Sequence, residues 1–229
     1  MTKRFPYCPL FLDLENRDVL IVGGGTVSAR KAEMLMRYGA RVTIVSPEIA
    51  SEIAEWERDG LLTTKRKRFE ASDLEGATLV IASTADGAVN TEVADGCRRR
   101  GIPVNVVDVP ELGDFIVPAV IDKGSVQIAI STGGKSPALA RRLKADLDRQ
   151  VGPEYAEVND LLGSLRDAAK SALPTDSDRK RFFDAILHAG VLDLLRDGRR
   201  RHAFEAVARA CDSAGITMSE SLRAHLAES

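Results

Sequence analysis

The chain has 229 residues, of which 44% are hydrophobic and 29% charged, a mixture typical of a folded globular protein and unlike that of disordered or fibrous chains. Its formal net charge is -2, so there is no overall basic field for nucleic acid or an anionic membrane. We see no secretory leader and no apolar run of about 18 residues. We therefore expect a cytoplasmic protein with no nucleic-acid or membrane partner.

Strand-length apolar runs alternate with amphipathic stretches as far as Asp108. This alternation predicts a parallel sheet covered by helices. The basic run Lys65–Arg68 in the third strand is typical of a solvated edge. The predicted strands are Val19–Val22, Arg41–Val45, Leu61–Phe69, Leu79–Ala82 and Pro103–Val107, and the predicted helices are Ser28–Tyr38, 48–59 and 88–100.

The pattern changes after Asp108. Phe115–Ile121 and Val126–Ile130 predict an antiparallel hairpin. Ser136 and Pro137 predict the capped start of a helix, and residues from Pro153 onward predict four or five more helices. The predicted fold class is thus α/β: a Rossmann-type sheet, then a small α+β region, then an all-helical C-terminal domain. The expected domains are 1–112, 113–150 and 151–229.

Gly23-Gly24-Gly25-Thr26-Val27-Ser28 directly follows the first strand and opens the first helix. In this context a Gly-x-Gly-x-x-small pattern indicates a dinucleotide site: Gly23 permits the turn and Gly25 lets backbone approach a pyrophosphate at the helix N-terminus. We expect Thr26 and Val27 to contribute to it. A glycine turn that binds nothing is the alternative.

The residues that contact the rest of the cofactor are less clear from the sequence. Strand two ends at Ser46-Pro47-Glu48, so Glu48 or backbone near Pro47 must contact the ribose, and no arginine follows to take a 2′-phosphate. NAD is therefore expected rather than NADP. We assign Ser83 and Thr84, which follow the fourth strand, and Asn105 in the fifth to the same cofactor site.

Five ordered blocks resemble the precorrin-2 dehydrogenases and sirohydrochlorin ferrochelatases that make sirohaem. The blocks are Pro9–Leu14, Val22–Val27 followed by Arg30–Ala32, Asn105–Asp108, Phe115–Ala119 and Ser131–Ala140. The resemblance covers about 140 residues and gives no match for the helical tail. The methyltransferase domain that some relatives carry is not expected here, so precorrin-2 would have to be supplied.

The resemblance implies NAD-dependent oxidation of precorrin-2 to sirohydrochlorin by a homodimer. Some family members also insert ferrous iron, which is then a substrate and not a bound cofactor. It further implies that Asp108 is the acid/base of the reaction and that Thr132 lies near the tetrapyrrole. Whether this chain performs one reaction or both stays open.

Elementary chemistry agrees with these roles. Asp108 follows a parallel strand, at the sheet edge where ligands bind in open α/β folds, although a capping or ion-paired aspartate is the alternative. A polycarboxylate substrate needs concentrated positive charge and free amides. The loop before the capped helix is the expected site, with Thr132, Gly133, Gly134, Lys135 and Ser136 as its substrate-binding residues.

No metal site is expected. The three cysteines are scattered and the three histidines lie in the last quarter without zinc spacing. Metal insertion needs no such cage, because the macrocycle supplies the nitrogen ligands. Two other readings are an NAD-sensing or ligand-binding module without turnover, and a generic small-molecule dehydrogenase, which lacks the usual catalytic constellation.

Overall fold

The computed structural model describes residues 7–218. They form two compact units. The first comprises the chain up to Pro118 together with Gly133–Lys135, and the second comprises Ala119–Thr132 and the chain from Ser136 onward. The three-part division predicted from the sequence stays a prediction.

The first unit is built on a five-stranded parallel sheet. The strands are β1 Asp18–Val22, β2 Arg41–Val45, β3 Thr63–Lys65, β4 Leu79–Ala82 and β5 Val104–Val106. Their order in the sheet is β3-β2-β1-β4-β5. The chain order reverses between β1 and β4, which creates the crevice where ligands bind in open α/β sheets.

Three helices cover the sheet: α1 Thr26–Arg37, α2 Ser51–Arg58 and α3 Gly87–Arg100. Alternate residues of each strand face opposite sides. Ile21 and Ile44 pack with the apolar face of α1, whereas Val22 and Val80 pack against the α3 side. Burial on both faces explains why these strands read as continuous apolar runs. The predicted fold class is confirmed.

Several predicted boundaries were wrong. The second helix begins at Ser51 and not at residue 48, and the first strand of the hairpin begins at Ala119 and not at Phe115. Helix α1 begins at Thr26 and not at Ser28, because Gly25 already adopts the extended N-cap conformation. Strand β3 ends at Lys65 instead of reaching Phe69, since a tight turn from Lys67 N–H to the Lys65 carbonyl closes it.

The second unit begins with an antiparallel hairpin that pairs Ala119 with Ile130, and after the hairpin it is helical. Its elements are β6 Ala119–Lys123, β7 Val126–Ile130, α4 Pro137–Asp148, α5 Glu154–Ser164, α6 Arg166–Ala172, α7 Asp176–His188, α8 Val191–Arg196 and α9 Arg200–Ser213. The buried Glu154 accepts a hydrogen bond from Arg196, which joins α5 to α8.

Five helices therefore follow Pro153 within the described residues, as predicted. Between residues 7 and 218, no helix combines the length and the apolar character that crossing a bilayer requires.

Candidate active site

The turn after β1 is shaped by its first glycine. Gly23 has φ 124°, and a Cβ there would lie 2.7 Å from the Ser83 carbonyl oxygen. Its N–H donates to the Val45 carbonyl at 2.9 Å. Only glycine fits this conformation and this close approach, so the turn connects the ends of β1, β2 and β4.

Gly24 is also required for the shape of the turn, although the sequence analysis did not single it out. A Cβ on Gly24 would overlap the Glu48 carbonyl oxygen, and the Gly24 carbonyl accepts a hydrogen bond from Ala50 N–H at 2.8 Å. The glycine turn is thereby packed against the chain that follows β2. The run of three glycines was the available signal.

Gly25 has a different surrounding. It is the N-cap of α1, and apart from its two chain neighbours no residue has an atom within 4 Å of where its Cβ would stand. Neither a side-chain cap nor an acidic first-turn residue occupies the helix end. The first-turn amides, including those of Thr26 and Val27, have no partner inside the helix. An uncapped N-terminus beside open space suits a dinucleotide pyrophosphate.

The end of β4 is fixed to α1. Ser28 is fully buried, and its hydroxyl lies 2.8 Å from that of Ser83. Thr84 uses its hydroxyl locally, donating to the Asp86 carbonyl at 2.9 Å and accepting from Asp86 N–H at 3.0 Å. Ser83 and Thr84 therefore stand at the carboxyl edge beside the crevice, in a turn that is held rigidly.

Pro47 and Glu48 are exposed after β2. The basic run at the end of β3 is adjacent, since Ser46 N–H donates to the Lys65 carbonyl at 3.2 Å. Three of its four cations are paired with carboxylates, and Arg68 is exposed. The pairs are Lys65 with Asp73, Arg66 with Glu57, and Lys67 with Glu70 and Asp73. This run is therefore largely neutralised.

Asp108 lies two residues beyond β5, is exposed, and has the left-handed φ of 62°. Such a backbone is uncommon outside glycine, although aspartate and asparagine tolerate it. Val107 N–H donates to the Ala82 carbonyl at 2.9 Å, and Val109 N–H donates to the Val106 carbonyl at 3.3 Å. Hydrogen bonds on both sides thus hold the residue in this conformation.

The chain after Asp108 returns along β5. Asp114 N–H donates to the Val104 carbonyl at 2.7 Å, and an Asp114 carboxylate oxygen accepts from Val104 N–H at 3.1 Å. The buried Asn105 donates its side-chain amide to the Phe115 carbonyl at 2.9 Å. Asn105 therefore anchors the Asp108 loop, and its predicted contact with the cofactor stays a prediction.

Lys31, on α1, is a second feature that sequence reasoning did not single out. Its side chain is partly buried, and burial lowers the pKa of its ammonium. The Arg30 guanidinium lowers the pKa further, whereas the Asp108 carboxylate opposes both. The ammonium of Lys31 is thus attracted by the carboxylate of Asp108, the candidate acid/base.

The predicted substrate loop is closed by its own first and last residues. The Thr132 hydroxyl donates to the Ser136 carbonyl at 3.1 Å and accepts from Ser136 N–H at 3.2 Å. Ser136 caps α4 through Leu139 N–H at 3.2 Å. Capping leaves fewer amides for a carboxylate than we expected, because Leu139 is engaged and Pro137 has none.

Gly133, Gly134 and Lys135 belong to the first unit. A Cβ on Gly134 would lie 4.0 Å from Pro110 Cγ, and Pro110 is two residues from Asp108. Lys135 is exposed. These three loop residues are thus brought near the Asp108 segment, while Thr132 and Ser136 belong to the second unit.

No cluster of three or more histidine, cysteine, aspartate or glutamate side chains able to hold a metal occurs among residues 7–218. Cys97 and Cys211 are buried free thiols, and burial raises the pKa of Cys97 to about 11. A thiol with so high a pKa is a poor nucleophile.

Three family models match successive parts of the chain. Residues 10–119 match one described as putative NAD(P)-binding, residues 123–150 match the central region of sirohaem biosynthesis proteins, and residues 154–210 match the sirohaem synthase dimerisation region. Together they follow the order of the elements described above.

Relatives with similar sequences are named siroheme synthases. The siroheme synthase of Methylococcus capsulatus is 41% identical over 208 residues, covering 91% of this chain and 44% of the relative. That of a Psychrobacter species is 41% identical over 199 residues, with coverages of 87% and 41%. The chain thus spans less than half the length of these relatives.

The chain is also similar to a solved structure, over the whole length of that structure. SirC, a precorrin-2 dehydrogenase, superposes with a TM-score of 0.71 at 29% identity, covering 89% of this chain and 100% of that one.

Proposed function

Because the chain belongs to the sirohaem biosynthesis family, we propose that it oxidises precorrin-2 to sirohydrochlorin with NAD as the acceptor. The carrying observation is the Asp108 loop: an exposed carboxylate held in a left-handed conformation at the same sheet edge as an uncapped dinucleotide-binding helix. SirC, which bears the name of this activity, is similar over its full length.

The glycine turn and α1 would hold the cofactor. Gly23 shapes the turn, Gly25 leaves room for the pyrophosphate, and the amides of Thr26 and Val27 donate to it. Ser83 and Thr84 would border the nicotinamide half. The cofactor would supply a two-electron acceptor for the hydride that the macrocycle loses together with one proton.

Selection of NAD over NADP follows from charge. A 2′-phosphate needs a free cation near the end of β2. Three cations of the neighbouring basic run are bound to Glu57, Glu70 and Asp73, and the fourth, Arg68, lies beyond the end of β3. The exposed Glu48 would repel a phosphate. Glu48 and the backbone at Pro47 would instead accept hydrogen bonds from ribose hydroxyls.

Asp108 would accept the proton that the macrocycle loses, at a carboxylate oxygen facing solvent. Its loop is anchored at Asn105 and Asp114, so the carboxylate is positioned before substrate arrives. Thr132 to Ser136 would hold carboxylates of the tetrapyrrole, with Lys135 as the charged contact.

We further propose that the protein acts as a homodimer. Residues 154–210 match the family's dimerisation region, and Leu139 and Leu143 of α4 are 51% and 38% exposed, which favours burial against a partner. Sedimentation equilibrium tests this, since a monomer at micromolar concentration would contradict it. The cytoplasmic location stays a prediction.

The deciding experiment is anaerobic. Enzymatically generated precorrin-2 is mixed with the protein and NAD, and sirohydrochlorin absorbance is followed, with NADP and no nucleotide as controls. Sirohydrochlorin formation that requires NAD would support the proposal. NAD binding without turnover would instead favour a sensing module.

Ferrous iron insertion is tested in the same cuvette. In that step two pyrrole N–H protons leave as Fe²⁺ enters, and Asp108 is a suitable acceptor for them. Adding Fe²⁺ after sirohydrochlorin has formed, with a protein-free control, measures the activity. A rate no faster than the control would limit the protein to dehydrogenation.

A further inference from the structure

Lys31 occupies the second turn of α1, the helix that begins at the glycine turn. Side chains of a helix lean toward its N-terminus. The amine of Lys31 is thus directed toward the carboxyl edge of the sheet, where Asp108 stands.

Lys31 is partly buried, and its amine has no direct partner among the described residues. No ion pair or hydrogen bond joins Lys31 to another residue within the described part of the chain, 7–218. Arg30 adds a like charge beside it, and the Asp108 carboxylate attracts it without forming an ion pair. An ammonium that is partly desolvated and has unused N–H donors raises the free energy of the protein unless an anion binds to it.

We propose that Lys31 binds a peripheral carboxylate of the macrocyclic substrate and so holds the macrocycle beside Asp108. This inference rests on the proposed function, which supplies a polycarboxylate ligand. Lys31 and Asp108 then have separate tasks: the lysine binds an anionic side chain of the substrate, and the aspartate faces the reacting part of the ring.

A phosphate of the cofactor is the other anion within this region. It already has the uncapped amides at the start of α1, and the Cα of Lys31 lies about 7.5 Å farther along the helix axis than that of Thr26. We therefore assign the lysine to the carboxylate, and the experiment separates the two anions.

The test compares Lys31→Met and Lys31→Arg with Arg37→Gln, which removes an exposed cation from the same helix. Uroporphyrin I, which carries the same kinds of acidic side chains, is the probe, titrated by fluorescence quenching. NAD affinity is measured separately by calorimetry. Methionine preserves the aliphatic stem, so Lys31→Met should unfold at the same temperature as the parent protein or higher.

We expect Lys31→Met to weaken uroporphyrin binding by about tenfold or more with NAD affinity unchanged. Lys31→Arg should retain most of the binding, and Arg37→Gln all of it. Unchanged uroporphyrin affinity in Lys31→Met, an equal or larger loss of NAD affinity, or no uroporphyrin binding by the parent protein would overturn the inference.

These experiments distinguish failure of the Lys31 inference from failure of the proposed function. If the parent protein does not oxidise precorrin-2 but binds uroporphyrin in a Lys31-dependent manner, the reaction is wrong and the anion contact stands. If it oxidises precorrin-2 and Lys31→Met has the parent KM and uroporphyrin affinity, the reaction stands and the anion contact is wrong.

Discussion

The hydroxyls of Ser28 and Ser83 lie 2.8 Å apart, so one hydrogen bond joins the first helix to the end of strand β4. Ser28 is fully buried, and Ser83 also reaches the Val22 carbonyl at 3.4 Å. The glycine turn lies between these two elements, so its shape depends on the bond.

Ser28→Ala and Ser83→Ala should each lower the free energy of unfolding by about 1–2 kcal/mol, because each leaves a buried hydroxyl without its partner or removes the bond. The double variant should lose less than the sum. Urea denaturation of all four proteins measures this. Strict additivity would contradict the role of the bond.

Gly24 and Gly25 should respond differently to a methyl group. Gly24→Ala must displace the Glu48 carbonyl, so we expect a loss of about 1–3 kcal/mol in stability. Gly25→Ala has open space and a negative φ of -84°, so its thermal midpoint should not change. Calorimetric titration should show NAD affinity reduced by about tenfold or more in Gly25→Ala, because the methyl fills the pyrophosphate space. Unchanged NAD binding there would contradict the assigned site.

Substitutions of Asp108 can test its left-handed backbone conformation and the chemical role of its carboxylate separately. Asp108→Asn and Asp108→Gly should keep the stability of the parent, whereas Asp108→Ala should lose about 1 kcal/mol because alanine resists the left-handed conformation. All three should oxidise precorrin-2 about a hundredfold more slowly or worse. A full rate in Asp108→Asn would remove Asp108 from the reaction.

Asp73 should make stability depend on pH. Burial alone raises its pKa, but hydrogen bonds from Lys67, the Glu70 N–H and Lys65 outweigh burial and hold the pKa below its ordinary value of 3.8. Folding therefore favours the carboxylate: the stabilisation is present above about pH 3.8 and is lost as the pH falls through the folded-state pKa.

Urea denaturation between pH 3 and 7 tests this. Asp73→Asn should be less stable than the parent at neutral pH, and the difference should shrink in acid. Asp95→Asn, which removes an exposed partner of Arg98, is the control and should change little. A constant difference for Asp73→Asn across this range would refute the assignment.

Much of the fold could be predicted from the sequence. The strand and helix order through Asp108, the hairpin and the capped start of α4 follow from apolar periodicity, glycine and proline positions and the Ser136 cap. The wrong boundaries were local: β3 is shorter because the Lys65–Lys67 turn closes it, and charge pairing over that turn is not visible in periodicity.

The chain by itself determined that a glycine turn follows a buried strand and opens a helix, and that Asp108 ends a parallel strand, because these are relations between near neighbours. Only the tertiary structure decided that Gly24 packs on Glu48, that Asn105 and Asp114 hold the Asp108 loop, and that the charges of Lys31 and Asp108 attract each other. The last of these joins residues 77 positions apart. Contacts of that kind arise when strands and helices pack together, and local residue preferences carry no information about them.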